Sequence, residues 1–239
     1  MIEYHLKCLR LRDRVAPEEE AAIRAMISEV VDHPAHRTIV HAGCDVRESL
    51  LLCRGWLARV KDLPSGQRQM TQLHLPGDFA DLHGFTLKSL DHDLVTLTAC
   101  RIAVVPHDRL LELTKDFPHL GRLYWTMTNI DAAIHREWML SFGRRSAIAR
   151  MAQLFCELRV RLQIVGLLNG ESYDFPLTQV ELGECLGLTS VHVNRTLQEL
   201  RRLNLIQVEG RRVTILNLEK LKAVADFDDQ HLYLLQRPR

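Results

Sequence analysis

The 239 residues are 46% hydrophobic, enough for one large or two medium packed cores, and carry a formal net charge of +1 from 31 Lys and Arg against 30 Asp and Glu. That balance excludes a chain that coats nucleic acid by bulk charge, so any DNA binding must come from local clustering. The six Cys (8, 44, 53, 100, 156 and 185) include no CxxC pair, and there is no secretory signal or apolar run of about 18 residues, which points to a reduced, soluble, cytoplasmic protein with no membrane partner.

Residues 16–31 predict a helix: Pro17 sits at its start, three Glu follow, and Ile23, Met26, Ile27 and Val30 share one face. From His36 the period becomes two. Segments 38–41, 50–53, 55–60, 69–75, 95–98 and 102–105 predict short strands, separated by turn residues such as Ala42-Gly43, Arg54-Gly55, Pro64-Ser65-Gly66 and Pro76-Gly77-Asp78. Many short strands with glycine turns predict an antiparallel sandwich or barrel whose mouth can hold a small ligand.

A short helix, 107–114, leads to Asp116-Phe117-Pro118 and then to a proline-free stretch reaching about Phe142. Leu120, Leu123, Met127, Ile130 and Ile134 recur there at three and four residues, which predicts a dimerisation seam, although the same stripe would suit packing on the chain's own core. Gly143 predicts a hinge, and Arg144-Arg145-Ser146-Ala147 opens a further helix to about Val165. A short strand, 173–177, follows.

Leu177 to Leu200 reads as two short helices joined by a tight turn. Gly183 gives the second helix room to cross, Gly187 accepts the positive φ of the turn, and Thr189 stands as N-cap. With Val193, Leu197 and Leu200 facing inward, Ser190, Val191, Asn194, Arg195 and Gln198 lie on the opposite face. Arg195 has the fork that reads guanine O6 and N7 together, Asn194 and Gln198 suit adenine or phosphate, and Thr189 and His192 suit backbone phosphates at a positive helix start. An alternating hairpin, 204–216, turns at Gly210 and carries Arg211 and Arg212, a wing for the flanking backbone. Between Thr189 and Arg212 five Arg face two Glu, a local surplus of three positive charges. The last helix begins near Leu218, and no role follows for residues 226–239.

The glycine turns near 43, 55, 66 and 77, the segments LPGDFADL (75–82) and VTLTACRIAVVP (95–106), and the run GLTSVHVNRTLQELR from Gly187 to Arg201 together resemble the Crp/Fnr superfamily of bacterial transcription regulators over about residues 15–220. The resemblance implies an α+β fold: an N-terminal antiparallel, jelly-roll-like β-roll (1–115), a dimerisation helix (116–142) and a C-terminal winged helix-turn-helix (143–239). It further implies a homodimer that reads a palindromic operator on double-stranded DNA, with RNA polymerase as a candidate partner. Family members that read a TGTGA-type half-site place an arginine where Ser190 stands and an acid where Val191 stands. Arg195 matches them, so a guanine contact is expected within a half-site that differs elsewhere, with Val191 available to a thymine methyl.

The family's effector chemistry carries over poorly. Ala80-Asp81-Leu82 replaces the Gly-Glu-Leu that holds a cyclic nucleotide's ribose, and Asp91-His92-Asp93-Leu94 stands where the phosphate-binding arginine belongs, which argues against cyclic AMP. Cys8 is alone where iron–sulfur members carry a cysteine cluster. His33, His36 and His41, or His74, His83 and His92, lack the spacing of a metal site, so the effector stays unknown and no metal is assigned. Two other readings remain: a ligand-binding module whose helix-turn-helix contacts protein, and an enzyme, disfavoured because GxSxG, P-loop and HExxH motifs are absent.

Overall fold

The computed structural model describes residues 2–238. In chain order it contains α1 (Glu3–Arg12), α2 (Pro17–Ala25), β1 (Glu29–His33), β2 (Thr38–Val40), β3 (Glu48–Arg54), β4 (Leu57–Asp62), β5 (Arg68–His74), α3 (Gly84–Leu87), β6 (Asp93–Thr96), β7 (Cys100–Pro106), α4 (His107–Asp116), α5 (Pro118–Arg144), α6 (Ala147–Val165), β8 (Ser172–Asp174), α7 (Gln179–Leu186), α8 (Ser190–Arg202), β9 (Ile206–Glu209), β10 (Arg212–Ile215) and α9 (Leu218–Ala225). The chain divides into two compact units, one of residues up to Lys61, Gln72–Ala132 and from Tyr233 on, the other of Asp62–Thr71 and Ala133–Leu232.

The first unit is a β-roll of two antiparallel sheets, ordered β1-β7-β3 and β2-β6-β4-β5. Alternation places Leu50, Leu52, Leu57, Leu94, Ile102 and Val104 in one buried cluster, while Leu51, Cys53, Ala103 and Val105 point the other way into a cluster shared with the helices. The helix expected over 16–31 stops at Ala25. Glu29-Val30-Val31 instead pairs with β7, Glu29 opposite Val104 and Val31 opposite Ile102, because a β-branched run beside an open sheet edge satisfies its backbone better as a strand.

α1 was not expected from sequence. Its Ile2, Leu6 and Leu9 enter the helical cluster with Ile23, Leu120 and Leu123. His5 is buried there: Nδ1–H donates to Gly77 O at 2.9 Å, and the ring stacks on Tyr124 with centroids 5.7 Å apart and planes 16° apart.

In the second unit α6 is the central helix. Ser146 caps it, its hydroxyl accepting Ala149 N–H at 3.3 Å, and Met151, Leu154, Phe155, Leu158 and Leu162 are buried along it. Tyr173 in β8 donates its hydroxyl to Phe155 O at 3.0 Å. β8 also adds a third strand to the expected wing, giving the order β8-β10-β9. Gly143, read from the sequence as a hinge, lies exposed as the penultimate residue of α5; the helix breaks just after it, at Arg145-Ser146, where the N-cap serine begins α6.

Candidate nucleic-acid interface

α7 starts with a capping box inside the stretch read as helix-turn-helix, a feature the sequence reading did not single out. Thr178 Oγ1 accepts Glu181 N–H at 3.2 Å, and Glu181 Oε2 accepts Thr178 N–H at 2.7 Å. α7 ends at Gly187, left-handed at φ +63, and a Cβ on Gly183 would lie 2.5 Å from Leu188 O, so the two helices cross over a position that admits only hydrogen. Thr189 Oγ1 then accepts His192 N–H at 3.3 Å and opens α8.

Burial on α8 follows the expected phase. Val193 and Leu200 are fully buried and Leu197 nearly so, while Thr189, Ser190, Val191, His192, Asn194, Arg195 and Gln198 are exposed together on one side. No partner for the Arg195 guanidinium occurs among the described residues, so its five donors face solvent. Asn194 Nδ2–H donates weakly to Gln179 Oε1 at 3.4 Å, which brings Gln179, on the exposed first turn of α7, to the same face. The sequence signal for Gln179 was the Thr-x-x-Glu box of which it is the second residue.

In the wing, Arg211 is exposed at the turn and Arg212 is paired with Asp174 at 3.0 Å, both side chains more than half exposed. Such a pair contributes about 0–1 kcal/mol, so it yields readily to a phosphate. Arg201 is a strut, donating to Val208 O at 3.1 Å and tying α8 to β9.

The five residues predicted for a dimerisation seam lie elsewhere. Leu120, Leu123, Ile130 and Ile134 are at most 6% exposed within the single chain, and Met127 packs half-buried on the cluster holding Leu120 and Leu123. Periodicity identifies an apolar face of α5, but this face packs on the chain itself. The opposite stripe is open: Arg122, Trp125, Asn129, Ala132, Arg136, Met139 and Gly143 alternate at three and four residues, with Trp125 70% and Met139 71% exposed.

Within the roll, a buried arginine that sequence reading missed holds the centre. Arg59, 4% exposed, donates Nε–H and Nη2–H to Ala80 O at 2.8 and 2.7 Å, and Nη1–H to Gln72 Oε1 at 2.8 Å and Asp131 Oδ2 at 2.7 Å. Gln72 Nε2–H completes the triangle to Asp131 Oδ1. Asp81 is buried, accepts Leu50 N–H at 2.7 Å, and burial raises its pKa to about 7. Asp91 is held below the usual carboxylate range, chiefly by Lys61 and then by His92, while Asp93 accepts Ala42 N–H at 2.7 Å. Burial, aided by the Arg59 charge, lowers the His83 pKa to about 4.

A Crp-like helix-turn-helix domain model matches residues 149–224, and a cyclic nucleotide-binding domain model matches residues 30–117. The chain is 32% identical over 203 residues to the transcriptional activator protein FnrL of Cereibacter sphaeroides, covering 82% of this chain and 80% of that one. The chain belongs to the Crp/Fnr family. It is a DNA-binding transcription regulator with a sensory domain of the cyclic-nucleotide-binding type.

Among other Crp/Fnr relatives, the transcriptional activator protein anr of Pseudomonas aeruginosa is 26% identical over 161 residues, covering 67% of this chain and 66% of that one. The fold matches the structure of FixK2 from Bradyrhizobium japonicum with a TM-score of 0.75 at 22% identity, covering 82% of this chain and 96% of that one. In this Crp/Fnr roll the buried Arg59 guanidinium is engaged by Ala80, Gln72 and Asp131, so any anion reaching it would have to displace a carboxylate already paired with it. No group of three His, Cys, Asp or Glu suited to a metal ion occurs among the described residues, and no helix among them is long and apolar enough to cross a membrane.

Proposed function

We propose that this Crp/Fnr regulator acts in the cytoplasm as a homodimer that reads an inverted-repeat operator with two copies of α8. The observation that carries the reading is Arg195, exposed and unpartnered on the side of α8 opposite Val193 and Leu200. Arg195 reads guanine in the major groove, Val191 meets a thymine methyl, and Asn194 and Gln198 read or hold neighbouring positions. Thr189, Ser190 and His192 hold phosphates at the helix start, and Arg211 and Arg212 hold the flanking backbone.

The partner face is the open α5 stripe. Trp125, Ala132 and Met139 recur every seven residues on a helix whose other side is already buried, and a parallel pairing of two such helices presents two recognition helices about 34 Å apart. The effector is left unassigned, and cyclic AMP is disfavoured because Asp91 and Asp93 stand where the resemblance places a phosphate-binding arginine.

Selection from a randomised duplex library tests the reading. The expected product is a palindrome, bound with an affinity that falls linearly as log K against log salt. Arg195→Ala should weaken the selected site by about 1–3 kcal/mol and relax one base position. Equal loss on random DNA would assign Arg195 to phosphate, and a lack of any salt-dependent DNA affinity would return the motif to protein contact.

A further inference from the structure

We propose that Arg150 is the positioning residue that ties the recognition unit to the end of α5 and so sets the half-site spacing this protein accepts. The inference rests on the dimer reading above. Arg150 lies in the first turns of α6. Its Nη1–H donates to Leu186 O at 2.5 Å, its Nη2–H donates to Phe142 O at 3.2 Å and Arg145 O at 3.4 Å, and its guanidinium sits 5.5 Å from the Phe142 ring centroid.

Those three carbonyls belong to three different pieces of chain. Phe142 is in the last turn of α5, Arg145 is in the break before α6, and Leu186 is the last residue of α7, next to the Gly187 turn that leads into α8. Carbonyls in a helix's last turn lack intrahelical donors and carry the negative end of its dipole. One cation therefore closes two helix C-termini, and it does so where any shift of Leu186 against Phe142 moves α8 against the helix that carries the partner face.

The packing beside it leaves that decision to the guanidinium. A cavity of about 10 Å³, room for about one water, is bordered by Trp138, Ser141, Arg150, Gln153, Cys185 and Leu186. Ser141 Oγ, on a side chain 3% exposed, and Arg150 Nε are buried there with no partner among the described residues. Across this gap the directional hydrogen bonds of one planar fork link α7 to the last turn of α5 and to the break that follows it. A lysine is a point charge and cannot serve three separated carbonyls with fixed geometry.

The test uses the full-length chain and a palindromic duplex selected by the wild type from a randomised library, together with duplexes carrying one or two base pairs more or fewer at the centre and a duplex with a single half-site. Wild type should lose about tenfold in affinity when the centre changes by one base pair, the loss expected from straining one charged hydrogen bond. Arg150→Lys and Arg150→Met should lose about tenfold on the selected duplex, discriminate among the centres by less than about threefold, and match wild type on the single half-site. If Arg150→Met does not fold, Arg150→Lys, which keeps charge and stem, carries the test. An unchanged spacing profile in a folded variant overturns the inference alone, as does equal loss on half-site and palindrome. Failure of the wild type to select any palindrome overturns the dimer reading and this inference with it.

Discussion

The indole Nε1–H of Trp138 donates to Glu157 Oε2 at 2.9 Å, joining α5 to α6 through a carboxylate with 0% exposure. The same carboxylate accepts from Arg161 at 3.1 Å and Gln153 at 3.3 Å, and His231 lies 3.8 Å away. A charge so fully buried persists only because every approach to it is a donor.

Removing that acceptor strands a buried cation. Glu157→Ala should cost about 3–5 kcal/mol, and Trp138→Phe, which leaves one lone pair unmet, about 1–3 kcal/mol. Urea denaturation of both variants measures this, and a Glu157→Ala loss under about 1 kcal/mol would show that the network contributes nothing net.

Two histidines should give stability opposite pH dependences. Burial lowers the His5 pKa to about 4, so its contribution is present above 6.5 and is lost as pH falls towards 4, about 3 kcal/mol for a fully buried ring. Burial also opposes charge on His119, but Glu19 at 2.7 Å and Asp13 at 3.2 Å outweigh it and raise its pKa, so its contribution is present below 6.5 and fades as pH rises through the raised value. Denaturant midpoints across pH 4 to 9 should show His5→Phe flattening the acid side and His119→Gln the alkaline side. The reverse assignment would refute both.

Substitutions on the two faces of α5 should separate assembly from folding. Trp125→Glu should shift sedimentation from dimer to monomer with a change in subunit stability within about 0.5 kcal/mol, because the side chain is mostly exposed in the single chain. Leu123→Ala, at 0% exposure, should cost about 2–5 kcal/mol. A Trp125→Glu protein that remains dimeric would place the interface elsewhere.

Gly183→Ala should destabilise by about 1–3 kcal/mol, since its Cβ meets Leu188 O at 2.5 Å and the two helices must part. DNA affinity should fall with it. Full stability in the alanine variant, read by thermal denaturation, would mean the crossing relaxes freely.

The helix-turn-helix was legible in the chain because its determinants are local. Gly183, Gly187 and Thr189 lie within seven residues, each answering to sterics or a cap that neighbours impose, and the exposed side of α8 follows from helical phase alone. The Gly210 turn of the wing and the roll's alternating strands were legible for the same reason. Distant partners decided the rest. β1 is a strand because β7 offers it an edge, α1 is anchored by Gly77 and Tyr124, and Arg59 is bonded to an aspartate 72 positions away. The same limit governs α5: its apolar period fixes which residues share a face, but only the folded chain determines that this face turns inward and leaves Trp125 and Met139 outside. A periodic stripe is equally satisfied by any apolar surface, and burial against the chain's own core is available before a second molecule arrives.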